Sequence, residues 1–276
     1  MVGKAQEYLL GVNQSEFDRL RFQHGVWRSV TEGFLDRIGV APGWRCLDAG
    51  GGPGFVAMDL RDRVGEAGQV TLLEPSKMFL DWFKDETEMR GWKNVQTIHG
   101  SAELADIPKG VFDLIFVRWV IAFALDPAAF IRSLVPALAA DGVIALQDYY
   151  YAGLSLFPRG GAYDEMAEIV RSYYRSGGGD PYIAGRIPTI LRNLGLSIID
   201  YTPHILAGGP ESAIMEWAHR FFVPHIPLMA EKRLITGKQA DELLADWHAH
   251  RKNPDALFFS PMVVDVAGRL PGKTPT

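Results

Sequence analysis

The sequence predicts an α/β fold: a doubly wound, mostly parallel seven-stranded sheet with a helical cap. Three observations carry it. A glycine-rich bend joins a short apolar strand to an amphipathic helix; strand and helix patterns alternate through residues 44–150; and two further strand candidates lie among helix-like stretches after residue 150. Alternation of this kind gives parallel strands with right-handed crossovers and helices on both faces.

The elements follow in order. Residues 1–43 read as N-terminal helices, with Ser15 and Asp18 as a cap signal and Phe17, Leu20, Phe22 and Trp27 interspersed with Arg19, Arg21 and Gln23. Pro42-Gly43 then breaks the chain. The first strand is Arg45-Cys-Leu-Asp-Ala49, and the helix after the bend carries Val56, Leu60 and Val64 at the four-residue spacing of a buried stripe. Gln69–Leu73 forms the second strand, ending in Glu74, with a helix starting near Ser76. Val95–His99, Val111–Val117 and Gly142–Asp148 supply the third to fifth strands. Residues 44–150 thus form the ligand-binding core. Beyond it, helix-like stretches near 162–175, 187–194, 210–222 and 238–250 are interrupted by Gly177-Gly-Gly179, Pro224 and Pro227. Leu196–Tyr201 and Ala256–Val266 can finish the sheet, which leaves the helices of 151–180 and 205–253 as a cap over its C-terminal edge; residues 151–276 make this third part.

The bend Asp48-Ala-Gly-Gly-Gly-Pro-Gly54 is the most informative segment. Glycines at 50, 51, 52 and 54 open backbone torsions closed to other residues and let a ligand lie against bare peptide groups near a helix N-terminus. Their spacing is not G-x-G-x-x-G, because Phe55 stands where the last glycine is needed; a pyrophosphate site is disfavoured. Nor does the chain contain G-x-x-x-x-G-K-[ST]. Asp48 puts a carboxylate beside the loop, suited to a cationic ligand or to ordering loop amides. Glu74, at the tip of the second strand, can accept both hydroxyl protons of a ribose.

Taken together these residues resemble the class I S-adenosylmethionine-dependent methyltransferases of small-molecule type, over roughly residues 15–150. Leu47 to Gly54 is similar to the family's first motif, Glu74 to its ribose-binding acid, and Gly100-Ser101-Ala102-Glu103 to the loop bordering the adenine; many relatives carry Asp where this chain has Ser101. Phe112 to Arg118 is similar to the fourth strand, whose end faces the donor. The resemblance implies S-adenosyl-L-methionine as cofactor, held by Gln23, Trp27, Asp48, Gly50, Gly52, Glu74, Ser101, Ala102 and Arg118, with Gln23 and Trp27 on an N-terminal segment folded over it. It further implies methyl transfer, oxygen being the commonest acceptor atom.

Composition agrees. Apolar residues make up 47% and charged residues 22% of 276, as in a soluble globular protein. A net charge of −5 without a basic tract disfavours nucleic acid as a partner. The single cysteine, Cys46, reads as a small buried hydrophobe, and no metal site is expected. Neither a secretory leader nor an apolar span of about 18 residues is visible, so a cytoplasmic protein with no membrane association is expected. Aromatic residues in the cap segments favour a small apolar or aromatic substrate. Tyr150, Arg186 and Phe222 are its candidate contacts, and His219, ahead of His204 and His225, is the candidate catalytic base. A homodimer stays open. Two other readings also stay open: a non-methylating S-adenosylmethionine-binding protein of the same fold, and a nicotinamide-dependent oxidoreductase, against which the glycine spacing argues.

Overall fold

The computed structural model describes residues 13–271. Ten strands form two sheets: β1 (Arg45–Ala49), β2 (Gln69–Glu74), β3 (Val95–His99), β4 (Phe112–Arg118), β5 (Leu138–Tyr150), β6 (Ser155–Phe157), β7 (Ser197–His204), β8 (Ala207–Gly208), β9 (Leu257–Phe259) and β10 (Met262–Arg269). The large sheet has seven strands in the order β3-β2-β1-β4-β5-β10-β7; the small one runs β6-β9-β8. In the large sheet, β10 alone is antiparallel to its neighbours β5 and β7. The strand order reverses beside β1, which opens a crevice at the carboxyl ends of β1 and β4 where α/β sheets bind ligands.

Among the described residues, eight α-helices accompany the strands: α1 (Gln14–Arg37), α2 (Phe55–Val64), α3 (Lys77–Met89), α4 (Pro127–Leu134), α5 (Met166–Ser176), α6 (Ile187–Asn193), α7 (Ala213–Glu231) and α8 (Gly237–Lys252). Side-chain alternation along the strands divides the core. Cys46, Leu114, Phe116 and Val143 pack with Phe34, Leu60 and Phe83 from α1, α2 and α3. Leu47, Ile115, Val117 and Ile144 pack on the opposite face with Ile131 of α4, Leu191 of α6 and the cap. A strand buried on both faces must be apolar throughout, which is why β1, β4 and β5 read as near-continuous hydrophobic runs.

Three sequence expectations are corrected. Asn13, not Ser15, caps α1, its side chain accepting from the Glu16 N–H at 2.9 Å; Ser15 lies in the first turn. Helix α7 does not stop at its prolines but runs through Pro224 and Pro227 to Glu231. Both prolines sit on its exposed face, so the carbonyls they leave unbonded turn toward water, and the buried face keeps its packing. The expected strand 256–266 is split at Ser260-Pro261 into β9 and β10, which enter different sheets. Among the described residues, no helix is long and apolar enough to cross a membrane.

Gly54 fixes the turn from β1 into α2. Its φ is 80°, and a Cβ there would run into the Phe83 ring and Leu72. We expect Gly54→Ala to cost about 1–2 kcal/mol from the left-handed backbone and about 1–3 kcal/mol from overpacking. Gly91→Ala, at a φ of 69° but with open space around it, should cost the backbone share alone. Urea denaturation of the two variants checks this; equal losses would refute the packing share.

Candidate cofactor and acceptor cavity

A cavity of about 1120 Å³ opens over the tips of β1, β2 and β4. Its floor is the glycine bend, and its polar end is walled by Glu74, Ser101, Ala102, Asp48 and Arg118. Glu74 ends β2 and holds two backbone amides: Oε2 accepts from the Gly52 N–H at 2.9 Å and Oε1 from the Ser76 N–H at 2.8 Å. Burial pushes its carboxyl above the usual range, and those two amides pull it back. Each oxygen retains a lone pair for a ligand.

Asp48 is fully enclosed. Burial pushes its carboxyl up to about 7, opposed by the charge of Arg118 and by the Ala57 N–H of α2. Its Oδ2 has no hydrogen-bond partner, and Asp48 is one of the residues that line the cavity. A side chain at Gly51 would collide with this carboxylate, so the bend needs glycine there for close approach rather than for its torsion. Arg118 is half-buried, and desolvation lowers its guanidinium to about 10, which leaves it cationic at neutral pH. It donates to Thr31 Oγ1 at 3.0 Å and to His24 Nδ1 at 3.1 Å.

Helix α1 closes one side through Arg19, Leu20 and Gln23. Gln23 Oε1 accepts from Arg19 Nη1 at 3.0 Å and from the indole N–H of Trp217 at 2.9 Å, tying α1 to α7. The remaining wall is aromatic: Trp119, Phe123, Tyr149, Tyr151, Tyr174, Trp217 and Phe221. Trp119 follows β4 with a φ of 55°, a strained backbone for a bulky residue. Gln147 and Asp148 hold it there. The Trp119 N–H donates to the Gln147 carbonyl at 2.9 Å, and Asp148 accepts from the N–H groups of Ala122 at 3.1 Å and Tyr149 at 2.8 Å. The Trp119 ring stacks on Tyr149 with centroids 5.8 Å apart.

The cavity brings together eight of the nine residues expected at the cofactor: Gln23, Asp48, Gly50, Gly52, Glu74, Ser101, Ala102 and Arg118. Trp27 is the exception. It is fully buried behind the wall, edge-on to Trp119 and Trp217. None of the expected acceptor contacts lines the cavity. Tyr150 alternates away from Tyr149 and Tyr151 and meets Tyr182 edge-on at 5.2 Å. Arg186 is exposed and 3.2 Å from Asp180. Phe222 packs inside the cap against Tyr163 and Trp247, one position from Phe221, which does line the cavity. His219 is likewise outside: its Nδ1 accepts from the Trp247 indole at 3.0 Å between α7 and α8. Nor do the other candidate histidines line the cavity: His225 bonds the Phe221 carbonyl at 2.6 Å and His204 lies 2.7 Å from Asp265. Sequence reasoning missed Arg19, His24 and Thr31, although Arg19, Gln23, Trp27 and Thr31 recur every four residues on one face of α1.

Comparison with known proteins agrees with this geometry. A family model described as a methyltransferase domain matches residues 47–146. The ubiquinone/menaquinone biosynthesis C-methyltransferase UbiE of Shewanella woodyi is 28% identical over 127 residues, covering 46% of this chain and 49% of the relative. The chain therefore spans about half the length of the curated relatives it matches. Among solved structures, BH2331 from Bacillus halodurans superposes with a TM-score of 0.60 at 17% identity, over 86% of this chain and 97% of that one. Phosphoethanolamine N-methyltransferase 2 of Haemonchus contortus, in complex with S-adenosyl-L-methionine, superposes with a TM-score of 0.55 at 18% identity, over 88% of this chain and 52% of that one. These structures share the fold. Residues 47–146 thus match a methyltransferase domain, and the chain has the fold of the class I S-adenosylmethionine-dependent methyltransferases.

Proposed function

We propose that the protein transfers a methyl group from S-adenosylmethionine to an oxygen of a small, apolar, aromatic metabolite in the cytoplasm. One observation carries this reading: a single cavity joins a polar, glycine-floored end at the strand tips to an aromatic end under the cap. Its volume exceeds what one drug-sized ligand requires, leaving room for a nucleoside cofactor and a second molecule.

The residues fit the cofactor. Asp48 Oδ2, buried and without a partner, suits an ammonium group, and the remaining lone pairs of Glu74 suit ribose hydroxyls. Ser101 and Ala102 line the same cavity and suit an adenine. When bound, S-adenosylmethionine supplies a methyl group already activated on a sulfonium sulfur. The chain's contribution is then to orient the acceptor and exclude water, for which positioning effects of up to ~7–11 kcal/mol are available. Among the described residues neither histidine nor lysine lines the cavity. Tyr151, hydrogen-bonded to Tyr174, has its phenol pushed up by burial, so it serves as a hydrogen-bonding group and not as a base. An acceptor that itself ionises readily, such as a phenol or enol, suits such a wall.

The test is S-adenosylhomocysteine release with a panel of hydroxylated aromatics, amines and carboxylic acids. Turnover with apolar phenols and none with charged acceptors is expected; the reverse would overturn the reading. Product NMR separates oxygen from carbon methylation, the latter being what the curated relative's name describes. Phe221→Ala should raise the acceptor KM while leaving cofactor affinity within about twofold, since it removes a contact and no charged hydrogen bond.

Glu74→Ala should weaken cofactor binding by about 1.5–3 kcal/mol. Unchanged affinity in a folded variant would remove Glu74 from the site.

Binding should also respond to pH. With its carboxyl raised to about 7 in the free protein, Asp48 is progressively protonated below that value, whereas an ammonium ligand favours the ionised form. Affinity for S-adenosylhomocysteine should therefore fall on acidification, approaching about tenfold per pH unit below 7, with proton release on binding. Calorimetry at about pH 6 in two buffers of different ionisation enthalpy measures this release, and Asp48→Asn should abolish it.

A further inference from the structure

Asp48 and Arg118 carry opposite charges at one cavity wall, and each is felt by the other, yet they form no ion pair within 4 Å and Asp48 Oδ2 has no partner. A long, flexible arginine beside an unpaired buried carboxylate would ordinarily close on it. Something holds this guanidinium back. The holders lie behind it on α1: Arg118 Nη1 donates to Thr31 Oγ1 at 3.0 Å and Nη2 to His24 Nδ1 at 3.1 Å.

The geometry fixes the state of His24. An arginine only donates, so Nδ1 accepts and the ring proton lies on Nε2. Nε2 stands 3.3 Å from Asp59 Oδ2. That approach is off the line of a full hydrogen bond, since Asp59 Oδ2 is otherwise without a partner; the contact orients the ring electrostatically. Asp59 Oδ1 is itself anchored by Arg28 at 3.0 Å. Stacking on Phe55, the first residue of α2, at 5.5 Å fixes the ring plane. Burial and the charges of Arg118 and Arg28 hold the imidazole down to about 3, so it is neutral throughout the working range. A carboxylate in its place would compensate the guanidinium and remove its attraction for an anionic ligand group. A neutral acceptor positions the charge without cancelling it.

We propose that His24 is a positioning residue that holds Arg118 away from Asp48, leaving the two as a split receptor for the zwitterionic amino-acid end of the cofactor. Arg118 meets the carboxylate with the donors not given to His24 and Thr31, and Asp48 meets the ammonium. The inference rests on the proposed function, since it needs a cofactor with an amino-acid tail.

Two ligands separate tail recognition from everything else. S-adenosylhomocysteine has the tail; 5′-methylthioadenosine keeps the nucleoside and thioether without it. Calorimetry on the full chain should show His24→Phe, which preserves the stack on Phe55, weakening S-adenosylhomocysteine about ten- to hundredfold. Binding of 5′-methylthioadenosine should stay within about threefold, because it makes none of the affected contacts. His24→Asn, whose carbonyl oxygen can accept from Arg118, should recover most of the affinity. If His24→Phe does not fold, Thr31→Val, which removes the other holder, should show the same selective loss. Equal losses for both ligands, or no loss for either, would overturn the positioning role while leaving the proposed function standing. Failure of the wild-type protein to bind either ligand would overturn both.

Discussion

Two charges taken out of water at the tips of adjacent strands impose the organisation of this site. Asp48 is the last residue but one of β1 and Arg118 ends β4, and desolvation pushes each toward its neutral form. Such a pair is tolerable only when surrounding dipoles and partners offset the loss of hydration. The Ala57 N–H at the start of α2 serves Asp48, and Thr31 and His24 of α1 serve Arg118. The glycine bend is therefore more than a ligand cradle. Gly51 leaves room for the Asp48 carboxylate, and Gly54, with a φ of 80°, makes the turn into α2, whose Ala57 N–H meets that carboxylate.

The same constraint extends across the sheet. Arg118 of β4 is in register with Gln147 of β5, Gln147 with Asp265 of β10, and Asp265 with Thr202 of β7. Residues so paired project to one face, so four polar side chains form a row through an apolar sheet. Helix α1 covers that row and completes its hydrogen bonds. Thr31 donates to Gln147 Oε1 at 2.7 Å, Gln147 Nε2 donates to Asp265 Oδ1 at 2.7 Å, and Arg37 donates to Asp265 Oδ2 at 2.7 Å. A buried network is inexpensive when every member is satisfied and costly when one is missing. Helix α1 is thereby fastened to the sheet through its polar face as well as by apolar packing, which stations Gln23 and His24 over the cofactor end.

What the sequence made legible follows from how local each feature is. The bend, Asp48 and Glu74 are set by residues close in the chain, since a strand tip and the turn after it share one short segment. The first five strands and the residues that line the polar end of the cavity were readable for that reason. Helix α7 was misread because Pro224 and Pro227 break helices by an intrinsic preference, which an exposed face and a buried apolar stripe override. Two of the expected acceptor contacts stand a single step of phase from residues that line the cavity, Phe222 beside Phe221 and Tyr150 between Tyr149 and Tyr151, whereas Arg186 is exposed. Phase on a cap helix depends on how that helix lies over the sheet, and no local pattern encodes it. His24 was passed over because its meaning comes from Arg118, distant in sequence and adjacent in space.

The two ends of the cavity differ in how they are built, and the difference has a functional consequence. The cofactor end stands on strand tips, a rigid parallel frame with buried neighbours on both faces. The acceptor end is assembled from α1, the segment after β4, the end of β5, α5 and α7, so its shape depends on how the cap docks. A hydrogen-bonded pair ties the two walls together: Gln23 of α1 holds the indole of Trp217 of α7. Because Gln23 also accepts from Arg19, a displacement of α7 would break a buried hydrogen bond and disturb the helix that covers the cofactor. On the proposed function, this hydrogen bond would key the cap to the cofactor end, with the sheet supplying the constant part of the reaction and the cap the selective part.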